Sequence, residues 1–407
     1  MNDRAATGWL AREFDGRALW AAIRPRWPAI LLGLGTLFRA VEYLRDRSLD
    51  GREHPVGQHR GPPVLGAAPR TPVRAAAPFG FLVVERLVAG ILGSSLLALR
   101  LFPLVAGLAS MFLFARIRPV VGARSAFVAL GLFAFSDSLI YFSAEIKPYI
   151  VDVLAAVIGL HLPTAEGLRR AGPRGLFATA ALGSALVWFS FPSAFGLAGV
   201  GLGWLLAGLR GKPWPLLGRV AAVSIPWLAS FGAAHAVARI LLTPHSSMWV
   251  FWGFAFPPRG PWEAIAWTGR RLLNLFANPM HFDTPLGPRG SAVVGATLAA
   301  WGIVAIARAD RERLARLLGP IAMALVAAGF QFLPFHGRLL LFTVPALTWL
   351  VAEGTADLGE RIGGGRWADW LAVALILTPF LIAALHLIEP PAWMHDGQGD
   401  LRLNPWL

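Results

Sequence analysis

The chain of 407 residues contains no cysteine, and only two of its 37 basic residues are lysines, Lys147 and Lys212. Without cysteine there is no disulfide framework, no thiol nucleophile and no thiolate metal site. Charge is scarce as well. Charged residues make up 15% of the chain, where a soluble domain carries about a quarter. No cleavable signal peptide is expected, because residues 1–27 are polar and basic and the first apolar run leads directly into a span. The near-replacement of lysine by arginine points to a GC-rich genome and a bacterial source.

What the chain has is apolar sequence: 56% of residues are hydrophobic and the mean hydropathy is +0.57. At about 20 apolar residues per crossing, the length allows roughly ten passes through a bilayer. Lipid offers the backbone no hydrogen-bond partner, so long apolar runs imply helices. The expected fold is an all-α polytopic membrane protein, with spans near 27–44, 96–115, 125–142, 149–163, 175–190, 193–209, 220–242, 291–307, 317–333, 339–353 and 370–389. These make one transmembrane domain over residues 1–407, with no internal repeat and no soluble domain after the last span.

Arginine placement orients the eleven spans. With the N-terminus in the cytoplasm, every inner loop is short and basic, as the positive-inside rule requires. These loops hold Arg116, Arg118 and Arg124, then Arg169, Arg170 and Arg174, then Arg210, Lys212 and Arg219, then Arg308, Arg311, Arg313 and Arg316. The net charge of +14 therefore reflects topology, and no nucleic-acid partner is expected. Two outer loops are long, 45–95 and 243–290. Within them, Phe79–Leu97 carries Glu85 and Arg86 in the middle of an apolar run and reads as an interfacial helix. Trp249, Trp252, Trp262 and Trp267 suit the headgroup region, among the membrane lipids.

The most informative stretch is IYFSAEIKPYIVD, 140–152, at an outer turn. Pro148 suits the first turn of the fourth span. Asp152 then lies about one turn inside that helix, where a carboxylate is expensive and marks a site by default. Glu145, Tyr149 and Asp152 are spaced four and three apart, so they share a face if the helix extends back past Pro148. A locally satisfied interfacial loop is the alternative. A second candidate is FLPFHGRLLLF, 332–342, where Arg338 beside Gly337 can hold a phosphate bidentately; interfacial anchoring is the alternative there. His281, Asp283 and His336 match no metal-ligand spacing, so no metal ligand is assigned, although a divalent metal remains possible.

Several segments, in order, resemble the GT-C-type membrane glycosyltransferases, specifically the bacterial relatives of dolichyl-phosphate-mannose protein mannosyltransferases. They are RAVEYLRDRSL (39–49), APFGFLVVERL (77–87), LALRLFPLVAGLASMFLF (97–114), YFSAEIKPYIVDVL (141–154) and GRLLLFTVPAL (337–347). The resemblance implies transfer of a sugar from a polyprenyl-phosphate donor to a lipid, glycan or protein acceptor on the outer (periplasmic or extracellular) face of the cell membrane. It implies that Lys147 and Arg338 hold the donor phosphate and that Glu145 and Asp152 lie at the sugar or acceptor as catalytic carboxylates. Tyr149, Glu85, Arg86 and His336 are expected to line the site. Rival readings from other classes are a transporter or lipid flippase, which predicts inverted repeats, and a non-catalytic scaffold.

The chain departs from the family pattern just after the first span, where members carry an acidic W-x-D-E context. Here residues 50–76 read DGREHPVGQHRGPPVLGAAPRTPVRAA, rich in arginine and without periodicity. We read this stretch as frame-shifted. Suitable codons with one base restored after Leu49 give SLWMDESTLSANIVGRP, and a compensating shift near 75–77 returns the frame. A divergent loop is the alternative.

Overall fold

A computed structural model describes residues 26–45, 77–209, 213–241, 252–362 and 366–391. Residues 50–76, the anomalous first outer loop, lie outside the described residues. The described chain is helical and contains no strand. The first half contributes α1 (Trp27–Leu44), α2 (Phe79–Leu92), α3 (Leu96–Phe114), α4 (Ala123–Ala134), α5 (Asp137–Phe142), α6 (Tyr149–His161) and α7 (Ala165–Arg170). The second half contributes α8 (Pro173–Phe189), α9 (Ser193–Gly208), α10 (Pro213–Leu241), α11 (Pro261–Ala277), α12 (Gly287–Ala309), α13 (Arg311–Gly329), α14 (Val344–Ile362) and α15 (Arg366–Ile388). Short 3-10 turns cover Gly253–Ala255 and Gly337–Thr343.

Local chemistry sets several ends. The Ser95, Thr164 and Asp310 side chains accept the Ala98, Gly167 and Arg313 amides at the starts of α3, α7 and α13, satisfying donors that a helix leaves open. Proline occupies the first turn of α1, α8, α11 and α12, where its missing N–H is harmless. Gly93 ends α2 at φ 85°, a conformation that glycine adopts at little cost.

The expected spans fall largely on helix, and among the described residues five helices are long and apolar enough to cross a membrane, against eleven spans expected: Leu96–Phe114, Trp214–Ile240, Gly287–Ala309, Gly337–Ile362 and Trp367–Ile388. The chain is a membrane protein on that ground. The shortfall has physical reasons. Helix α6 has 13 residues, about 20 Å of rise against roughly 30 Å of hydrocarbon. Helix α13 opens with Arg311, Glu312, Arg313 and Arg316. The third expected span is broken into α4 and α5.

That break has a cause 95 residues upstream. Arg39 on α1 is wholly buried and donates to the carbonyls of Ala134 at 2.9 Å and Phe133 at 3.3 Å. These are carbonyls that the end of α4 leaves open, and a guanidinium is a suitable cap for them. Gly35 makes the approach possible, because a Cβ there would lie 2.6 Å from the Met111 sulfur and 3.0 Å from Ala134 Cβ.

Helix α14 is the axis of the bundle, buried along nearly its whole length and packed by α4, α12 and α15. Two backbone-close crossings organise the packing. A Cβ on Gly354 would meet Leu298 O at 1.9 Å, and one on Gly302 would meet Leu350 O at 2.0 Å, so α12 and α14 touch main chain to main chain. Gly319 on α13 likewise sits against Gly199 on α9. Small residues at such crossings are how helices approach closely when lipid supplies no hydrophobic drive. A second apolar cluster, around Trp204 and Trp227, joins α7 to α10. Helices α10 and α15 present Ile225, Leu228, Leu377, Leu381 and Leu385 outward, as surfaces facing acyl chains do.

One end of the bundle is clasped by Glu353 of α14, which is 0% exposed. It accepts from Val120 N at 2.6 Å, Val121 N at 2.9 Å and Ser125 Oγ at 2.8 Å, fastening the turn before α4.

Candidate active site

The opposite end gathers the residues singled out from the sequence. After α5 the chain turns through Ser143–Pro148 and enters α6 at Tyr149. The turn lies close on α3 because Gly107 has no side chain; a Cβ there would come within 2.1 Å of Ser143 Oγ. Lys147 Nζ lies 3.6 Å from Glu145 Oε2, and both side chains are partly exposed. Pro148 caps α6, so Glu145 stands outside the helix. The expected shared face of Glu145, Tyr149 and Asp152 therefore reduces to Tyr149 and Asp152.

Arg338 reaches this turn from the other half of the chain. It is the second residue of the 3-10 turn that leads into α14, set by Gly337 at φ 49°. Its guanidinium lies 5.9 Å from the centroid of the Tyr149 ring, within cation–π range. Phe142 meets the same ring edge-on at 5.3 Å. Arg338 thus lies over Tyr149, at the end of the turn that carries the Lys147–Glu145 pair.

Asp152 sits one turn into α6 and is buried at 7% exposure. It meets the Ser190 hydroxyl, which also accepts the Ser193 amide at 3.1 Å. Its Oδ1 has no partner among the described residues. Glu85 and Arg86 part company. Arg86 is exposed, while Glu85 is buried on α2 with neither carboxylate oxygen partnered among the described residues. Burial pushes the Glu85 carboxyl up to about 7, because desolvation disfavours its charged form.

His336 belongs to a neighbouring aromatic nest. Its Nδ1 lies 3.2 Å from Arg271 Nη1, and Arg271 also donates to Phe254 O at 2.7 Å. The Arg271 guanidinium sits 5.5 Å from the Phe254 ring and 5.7 Å from the Trp267 ring. Burial holds this guanidinium below its ordinary range, and Arg270 beside it acts in the same direction. Phe254, Phe256 and Trp267, with Pro257, Pro258 and Gln331, line a cavity of about 350 Å³ next to the nest.

A third cluster escaped the sequence reading. His386 Nδ1, near the end of α15, pairs with Asp137 Oδ2 at the start of α5. Asp283 interacts electrostatically with both members of that pair and with His281. Burial raises the Asp283 carboxyl, the charge of His281 opposes the rise, and Asp137 adds to it. Arg45 binds Glu42 at 3.2 Å and His386 O at 3.1 Å, and Arg100 donates to Arg45 O. No local motif announces these contacts; the only signal was a lone acid at a helix break and a histidine in a last turn.

Asp283 thus interacts with His281, Asp137 and His386, whereas His336 lies beside Arg271. Among the described residues no cluster of three or more His, Asp or Glu could hold a metal ion.

No protein-family model matches the chain, and no curated protein does. Solved structures of similar shape include the archaeal oligosaccharyltransferase AglB from Archaeoglobus fulgidus, in complex with an inhibitory peptide and a dolichol-phosphate. It is 13% identical at TM-score 0.48, over 90% of this chain and 56% of that one. An Archaeoglobus fulgidus oligosaccharyltransferase in complex with Zn and sulfate is 15% identical at TM-score 0.46, over 76% of this chain and 44% of that one. The chain spans about half the length of these structures.

Proposed function

We propose that the chain is a membrane glycosyltransferase that moves a sugar from a polyprenyl-phosphate donor to an acceptor hydroxyl on a lipid, glycan or protein. The reading is supported by the family-like segments and carried by one observation. Arg338 lies over Tyr149, which follows two residues after Lys147, the partner of Glu145, so two cations and a carboxylate are grouped at one end of α6. In this reading that end faces the periplasm or the exterior of a multi-pass cell-membrane protein whose N-terminus is cytoplasmic.

Lys147 and Arg338 bind the donor phosphate as charge-assisted donors. Phosphate entering beside Lys147 competes with Glu145 for that ammonium. Glu145 takes the proton of the acceptor hydroxyl, the acceptor oxygen bonds to the anomeric carbon, and the bond from that carbon to the phosphate oxygen breaks. The electron pair leaves on the polyprenyl phosphate, where the two cations stabilise it. Asp152, hydrogen-bonded to Ser190 and three residues beyond Tyr149, is the second carboxylate of the site in this reading. The aromatic cavity beside Arg271 and His336 is the acceptor's place in this scheme.

The test is a donor-binding titration in nanodiscs, followed by a transfer assay. Arg338→Ala or Lys147→Ala should weaken donor binding by the roughly 1.5–3 kcal/mol of a charge-assisted hydrogen bond. If the acid missing from the first outer loop is the essential base, the chain as written binds donor, and a version carrying WMDE after Leu49 turns over about 10² to 10⁴ times faster. Equal turnover by the two would assign the base to Glu145. Binding by neither chain would sink the glycosyltransferase reading.

A further inference from the structure

At the far end of α6 from Lys147, a pocket of about 410 Å³ opens between α3, α6, α7 and α13. That is within the range of small-molecule sites. Its walls carry four guanidinium groups, Arg116, Arg118, Arg313 and Arg316, against two carboxylates, Asp310 and Glu312. Both carboxylates are already engaged. Asp310 caps α13 through Arg313 N at 2.9 Å. Glu312 takes Arg316 Nη2 at 2.7 Å and Ala165 N at 2.9 Å.

Two of the arginines are structural, and two are not. Arg316 also donates to Leu162 O at 2.7 Å and to Pro163 O. Arg313 donates to Arg118 O and lies 5.3 Å from the Trp349 ring centroid. Arg116 and Arg118 are exposed at the mouth, and their guanidinium groups have no partner among the described residues. The floor differs from the mouth, being built from Ile117, Leu160, Leu162 and Leu317.

We infer that this pocket binds an anionic phospholipid, with the headgroup phosphate between Arg116 and Arg118 and the glycerol and first acyl methylenes against the apolar floor. Guanidinium groups match a phosphate bidentately, and basic pockets between membrane helices are suited to acidic headgroups. The apolar floor is what separates a lipid from a free phosphate ion, which would gain nothing from it. The site is independent of the donor chemistry proposed for the other end.

Native mass spectrometry and thermal unfolding of the purified full chain, titrated with phosphatidylglycerol, phosphatidylcholine or inorganic phosphate, test the assignment. Phosphatidylglycerol should bind and raise the midpoint, with phosphatidylcholine and inorganic phosphate far weaker. Arg116→Gln/Arg118→Gln should lower phosphatidylglycerol affinity at least tenfold. Arg169→Gln/Arg170→Gln, on α7 outside the pocket, should leave it unchanged. Unaltered affinity in the first double variant, or equal loss in both, would overturn the site. Inorganic phosphate matching phosphatidylglycerol would overturn the lipid as its occupant.

Discussion

Glu353 and Glu85 are both buried carboxylates in a chain with few charges, and the protein treats them in opposite ways. Glu353 receives two backbone amides and a serine hydroxyl, so its charge is used to fasten a turn. Glu85 receives nothing among the described residues, and burial lifts its carboxyl to about 7. The cations differ in exposure. Arg39 is enclosed and committed to the carbonyls that end α4, whereas Arg338 lies partly exposed over an aromatic face. A buried charge with converging partners belongs to the scaffold. Glu85, left short of them, is a group whose protonation burial decides.

The sharpest way to break that contrast is to remove the satisfied acid. Glu353→Ala strands two amides and a hydroxyl in the interior and should cost roughly 3–5 kcal/mol of stability. Reversible unfolding in mixed micelles measures it, and a loss under about 1 kcal/mol would mean that water replaces the carboxylate. Arg39→Met keeps the bulk and removes the cap of α4. It should cost roughly 2–3 kcal/mol, and a protein as stable as the parent would show that the helix break does not need the guanidinium.

The smallest effect belongs to the unsatisfied acid and depends on pH. Its folded-state value, about 7, lies above the ordinary glutamate value of about 4.3. Between these two values the folded state holds the extra proton, so the Glu85 contribution is complete below about pH 4.3 and is lost as pH rises through 7. Glu85→Gln, permanently neutral, should therefore unfold at a higher temperature than the parent at pH 8 and at nearly the same temperature at pH 4. Parallel midpoint-against-pH curves for the two proteins would place a partner beside Glu85.

The spans were legible where each is an apolar run bounded by charge, proline or glycine, and the two candidate turns stood out by composition; the charged helices Ala165–Arg170 and Pro261–Ala277 have no such run and were not read. What joins them was not legible. The Arg39–Ala134 and Glu353–Val120 bonds connect residues 95 and 233 apart, and no local pattern encodes such a meeting. For the same reason the third expected span was read through its break, since α4 and α5 are apolar on both sides of Phe135 and the cause lies on α1. Around the candidate site, Lys147 and Glu145 could be read as neighbours, but Arg338 over Tyr149 is a product of tertiary packing. The pairing of Asp137 with His386 had no sequence signal beyond two isolated polar residues in apolar helices.

The glycine crossing of α12 and α14 carries a mechanical consequence. With a Cβ position 1.9 Å from a carbonyl oxygen, the two main chains mesh without clearance, and one helix cannot slide along the other without first separating. The pair is a bearing that transmits force but takes up no travel. Arg338 is mounted on the extension of α14, while Lys147 sits on a turn at the start of α6 that is outside this bearing. Arg338 therefore takes its position from a helix that cannot creep along its neighbour, and Lys147 takes its own from the separate seating of the Ser143–Pro148 turn on Gly107 of α3.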